Sequence, residues 1–106
     1  MTQYHVAFER LPWVPWSEGV RHKIVDQHGT RVRLVEYLKS MPPHWCERRH
    51  VGILLEGHME IDFDAHTHSY HPGDAIYIPG GEMHRHRARI MTHKTVVFYV
   101  EEVPGR

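Results

Sequence analysis

The chain has 106 residues, the size of one domain built around a single hydrophobic core. Its 13 Lys plus Arg balance 13 Asp plus Glu, so no net field draws it to nucleic acid or to an anionic membrane. No stretch approaches the roughly 20 apolar residues that span a bilayer, the one cysteine excludes an internal disulfide, and no basic, apolar leader opens the chain; the expectation is a soluble, cytoplasmic domain.

Histidine is over-represented, at 12 residues with no tag-like run. It is the commonest metal ligand and titrates near neutrality, so the question is which of the twelve converge. In chain order, Leu11-Pro-Trp-Val-Pro-Trp16 reads as an extended arm, because two prolines exclude a helix and a central strand. Residues 1–18 are assigned to that arm and 19–103 to a barrel, within one domain of 1–106. Val20 to Asp26 and Arg31 to Lys39 flank Gln27-His-Gly-Thr30, the pattern of a hairpin. In the second run Val32, Leu34 and Leu38 alternate with Arg31, Arg33 and Lys39, which predicts the aliphatic set inward and the basic set outward.

Further strands are expected at Trp45 to Leu55, Met59 to Phe63, Ser69 to Tyr70, Ala75 to Ile78, His84 to Met91 and Thr95 to Val103, with a frayed tail from Pro104. Short strands at regular spacing with Pro/Gly turns between them make the fold all-β, a barrel or sandwich. His66, His68 and His71 cluster around a turn and read as a solvated hairpin.

Two segments carry chemistry. If Pro43 to Gly57 is extended, His44, Cys46, Arg48 and His50 share one face and Trp45, Glu47, Arg49 and Val51 the other. Downstream, Gly73 to His84 ends in a histidine after a Pro/Gly turn, and His84, His86 and Ala88 alternate with Arg85, Arg87 and Arg89. Arg48, facing a pocket, would need Glu56 or Asp62 as partner, or the carboxylate of an acidic ligand.

These segments resemble the two motifs of the cupin family. The second motif, a glycine, five residues, Pro-x-Gly, two residues and a histidine, is intact from Gly73 to His84. The first is a variant with a Trp45-Cys46 dipeptide: Gly57 matches its closing glycine, His50 stands where the family has glutamate, and Cys46 and His44 stand where it has its two histidines. The resemblance implies a double-stranded β-helix, or jelly-roll, barrel. It also implies a divalent metal held by His44, Cys46, His50 and His84. Thiolate with imidazole favours zinc, with iron or nickel next, over magnesium or manganese. Arg48, His86 and Tyr77 are expected to face a bound small molecule.

The family hosts many chemistries on one fold. A metal-dependent enzyme of oxygenase, isomerase or lyase class is one reading, with Glu56 or Glu82 as candidate base. A non-catalytic module sensing a metabolite or metal is the other. The tryptophan-bearing arm and the edge strands of so small a barrel also predict a homodimer.

Overall fold

Alternating hydrophobicity and Pro/Gly punctuation produce nine strands, and no α-helix, among residues 1–103, which the computed structural model describes. The expected tail from Pro104 lies outside these residues. The strands are β1 (Val14–Ser17), β2 (Val20–Gln27), β3 (Thr30–Leu38), β4 (His50–Glu56), β5 (Met59–Asp62), β6 (Thr67–Tyr70), β7 (Ala75–Ile78), β8 (Arg87–Ile90) and β9 (Lys94–Glu102). Single 3-10 turns occupy Phe8–Arg10 and Glu82–His84. No helix of the described residues is long and apolar enough to cross a membrane.

All strand pairs are antiparallel. One sheet runs β1-β2-β3-β9-β4-β7 and the other β6-β5-β8, and their apolar faces meet as a jelly-roll sandwich. The β2–β3 hairpin turns on His28 (φ 49°) and Gly29 (φ 79°), the two left-handed residues a tight hairpin requires. Leu54, Val35 and Val97 are fully buried at the centre, each contributing about 1.5–3 kcal/mol by leaving water.

The alternation along β3 runs opposite to the expected one. Arg33, Val35 and Tyr37 face the interior in register with Tyr99, Val97 and Thr95 of β9. Leu34 instead joins Lys23 and Phe98 in a row across the other face. That face is not solvent: the N-terminal arm lies on it. Phe8 meets Phe98 edge-on at 6.1 Å, Trp13 stacks on Arg21 and Lys23 at 4.7 Å each, and Lys23 Nζ donates to the Phe8 carbonyl at 2.7 Å. Both faces of β3 are thus covered, and residue type alone cannot say which is the core. The arm also contributes β1, which hydrogen-bonds to β2 as an edge strand.

Candidate metal centre

The cavity lies between the two sheets and is lined by residues of both, among them His50 of β4, Ile61 of β5 and Ala88 of β8. Cys46 precedes β4, in an otherwise irregular stretch, yet it makes a two-hydrogen-bond bridge to His86: Cys46 N–H donates to the His86 carbonyl (2.8 Å) and His86 N–H to the Cys46 carbonyl (2.9 Å). Residues paired this way project to the same side, so sulfur and imidazole share the cavity. His50 starts β4 opposite Ile78, and its ring meets that of His86 edge-on at 5.1 Å. One ligand atom from each of Cys46, His50 and His86 falls within 4.8 Å of the others.

Glycines shape this corner. A Cβ on Gly52 would strike the Phe98 carbonyl and the Tyr99 ring, and its absence lets Tyr99 lie beside His50 at 5.1 Å. Gly57, the closing glycine of the first motif, holds φ 89° just after an irregularity in β4. A side chain there would also meet the Lys94 carbonyl.

The electrostatics centre on sulfur. The neighbouring imidazoles of His50 and then His86, aided by the Arg48 backbone N–H 3.4 Å from Sγ, draw the Cys46 thiol down to about 5 against the opposing effect of burial. Burial pushes His86 down, but the neighbouring Cys46 sulfur and the bond to the His84 carbonyl leave it raised overall. His86 Nδ1 lies 3.1 Å from the His84 carbonyl, which fixes the proton there, and Nε2 is buried with no hydrogen-bond partner. His50 Nδ1 is likewise buried and unpartnered, 4.0 Å from Glu101 Oε2. A buried polar atom without a partner is costly, and His86 Nε2, in a residue of the three-atom cluster, is one that a cation could satisfy. Two imidazoles and a thiolate are also a donor set that suits zinc.

Behind this trio lies a buried polar chain. Arg33 donates through Nε to His22 Nδ1 (3.0 Å) and through Nη1 to Glu101 Oε2 (3.3 Å). Tyr37 and Tyr99 share a hydroxyl–hydroxyl bond of 3.1 Å, and burial raises the pKa of both, so both phenols keep their protons. Burial, then Arg33, lowers His22.

The other expected site residues are placed differently. His44 is exposed at the cavity mouth, outside the three-atom group. His84 is exposed at the end of its 3-10 turn and borders an outer groove; what it brings to the trio is its carbonyl. The 3-10 turn breaks the alternation that would have kept His84 and His86 on one face. Ile76 and Ile78 face inward, which turns Tyr77 outward at 70% exposure. Arg48 is exposed at the cavity mouth, with no carboxylate within 4.0 Å among the described residues. Both of its expected partners are engaged elsewhere, Asp62 with Arg87 and Arg89 and Glu56 with Lys94. Trp45 points away from the cavity, as alternation predicts, between Arg85 (4.7 Å) and Arg87 (4.9 Å).

Arg33, Glu101 and Tyr37 were not anticipated as site residues. Their signal was available only as a period-two set, Arg33-Val35-Tyr37 opposite Thr95-Val97-Tyr99, once the register was known.

A family model for the cupin domain matches residues 30–100. The chain belongs to the cupin family. No curated protein matches it by sequence. Among solved structures, KdgF from a Halomonas species aligns with a TM-score of 0.73 at 22% identity, over 92% of each chain. An RmlC-like cupin from Shewanella frigidimarina aligns at 0.73 and 13% identity, over 99% of this chain and 94% of its own. Fe(II) HppE aligns at 0.69 and 12%, over 90% of this chain and 57% of its own. At such identities the likeness is one of fold. The cupin barrel explains why strand ends from both sheets meet around one pocket; its occupants follow from the side chains present.

Proposed function

We propose that this cupin holds a divalent transition metal through Cys46, His50 and His86 and acts on a small molecule bound in the adjoining cavity. The observation that carries this reading is the convergence of one ligand atom from each of Cys46, His50 and His86 within 4.8 Å, with His86 Nε2 buried and unpartnered. Zinc suits the thiolate and imidazole set best, with iron or nickel next. A metal with three protein ligands keeps a position open, and when bound it would polarise a substrate oxygen or activate water or dioxygen, as oxygenase, isomerase or lyase chemistry requires. The protein's part is orientation: the His84 carbonyl sets the His86 tautomer, and Glu101 beside His50 Nδ1 favours a proton there, leaving the other ring nitrogen free to ligate. His44 at the mouth could close a fourth position by moving inward, which would make the site a structural or sensing one.

One observation favours a non-catalytic metabolite or metal sensor as the second reading. Glu56 is held by Lys94 at 3.4 Å and Glu82 is exposed on the 3-10 turn, so neither candidate base lines the cavity. Elemental analysis of protein purified without a nickel column tests the common premise. Near-stoichiometric metal in the wild type, lost in His50→Ala and His86→Ala, supports it; equal binding of added zinc or iron by all three refutes it. Oxygen-uptake and turnover assays on the loaded protein then separate enzyme from sensor.

The homodimer is proposed on the edge strands. β1 carries exposed Val14 and Trp16, and β7, at the opposite edge of the same sheet, carries exposed Tyr77. Light scattering at micromolar concentration should give twice the chain mass, and a monomer would reject it.

A further inference from the structure

The cavity holds more than the cluster. Its volume is about 150 Å³, the scale of a void that takes a benzene-sized guest and far below the several hundred Å³ of drug-sized sites. Ile61, Ile76 and Ile78 contribute an apolar wall. Set into the lining is a guanidinium: Arg33, with only 8% of its side chain exposed, spends Nε on His22 and Nη1 on Glu101. Tyr37 and Tyr99 also line the cavity, and their shared bond uses only one of two hydroxyl hydrogens. The spare hydroxyl hydrogen and the cavity-lining guanidinium form a donor-rich end that wants an acceptor. The Tyr99 ring lies 5.1 Å from that of His50, so about one aromatic ring separates this end from the Cys46, His50, His86 cluster.

We infer that Arg33 with the Tyr37–Tyr99 hydroxyl pair forms a carboxylate subsite, and that the cavity takes a short monocarboxylate with a hydroxyl or oxo oxygen on the adjacent carbon. This rests on the metal reading for the second oxygen and for the charge balance, and on the Arg33 and tyrosine donors alone for the carboxylate contact. Length follows from the cavity: a ligand touching both ends must be only a few atoms long. Charge follows from the buried groups: a divalent ion and Arg33, set against one thiolate and Glu101, leave a single positive charge for one carboxylate to neutralise. Arg48, unpaired at the mouth, adds attraction for an incoming anion. The neutral phenols donate without adding charge of their own.

The test is calorimetric titration of metal-loaded and metal-stripped protein with pyruvate and lactate, each beside its amide. The carboxylates should bind about tenfold or more tighter than the amides, and Tyr37→Phe and Arg33→Lys should each erode that preference severalfold. Arg33→Lys keeps a cation beside Glu101, and Tyr37→Phe removes one oxygen from an otherwise unchanged ring, so the pair remains informative if either folds poorly. Amides binding within about twofold of the acids, or a preference untouched by both variants, overturns the subsite. If the wild type takes up no metal, the metal reading fails alone; a carboxylate preference in that metal-free protein upholds the subsite, and its absence removes it.

Discussion

Two charged clusters, one inside the sandwich and one on the small sheet, use similar residues to opposite ends. On the small sheet Asp62 accepts from Thr67 (2.8 Å), Arg87 (3.2 Å) and Arg89 (2.9 Å), while Arg89 also reaches Glu60 (2.9 Å). Among the described residues, no buried polar atom of this cluster lacks a partner. Inside, Arg33, Glu101, His22 and His50 make fewer bonds and leave Glu101 Oε1 and His50 Nδ1 buried without one. A saturated network has no donor or acceptor left to offer, whereas the interior one keeps polar atoms open to a further partner. The two clusters differ in satisfaction more than in composition.

The comparison can be broken first at its interior anchor. Arg33→Met strands Glu101 and His22 in the interior and should cost about 3–5 kcal/mol in urea unfolding, as removal of one buried ion partner does. A loss no larger than that of an exposed pair would mean the interior chain is already solvated. Next, His86→Ala and His50→Ala should weaken zinc or iron affinity about a hundredfold or more, whereas His84→Ala, which keeps the carbonyl that orients His86, should change it by less than about threefold. Equal losses at 84 and 86 would return the ligand role to the motif histidine.

The outer cluster gives smaller effects. Asp62→Asn should cost about 1–3 kcal/mol, since charge-assisted bonds are lost from a partly exposed site, with metal affinity unchanged. Hydrogen bonding from Arg89, then Thr67, holds the Asp62 carboxyl well below the usual range. Its stabilisation is therefore complete above the unfolded value of about 3.9 and fades as pH falls through the depressed one. Asp62→Asn should accordingly converge with wild type only in strong acid.

The last test is at sulfur in metal-free protein. The thiol titrates at about 5 in the fold and at about 8.5 in an unfolded chain, so its contribution is full above about 8.5 and fades as pH falls toward 5. The stability gap between wild type and Cys46→Ser should widen from pH 5 to 8.5 and then level off. A flat difference would make Cys46 a packing residue.

Much of this was legible without coordinates. The β2–β3 hairpin, β5, β7 and β9 stand close to where β-branched runs and Pro/Gly turns put them. Gly57 and the Gly73-to-His84 stretch carried the family resemblance, which, with strand alternation, put Cys46 and His50 on one face. The failures share a cause. Alternation reports that residues 33 and 34 face opposite ways but not which way is in; the N-terminal arm gave Leu34 a second apolar environment and freed the inner position for Arg33. Counting by twos fails only at His84, because the 3-10 turn over residues 82–84 has a different period, whereas His86, Ala88 and Ile90 keep the inward phase expected of them.

By itself, then, the amino-acid order determined the strands, their turns and a chain segment rich in nitrogen and sulfur donors, because those depend on neighbours a few positions apart. Only the tertiary structure set His86, rather than His84, beside Cys46 and His50 and brought Arg33 and two tyrosines to the cavity. Those choices depend on one long-range bridge between Cys46 and His86, and on which sheet face the arm covers. Contacts between residues tens of positions apart carry no local period, so no local pattern could have announced them.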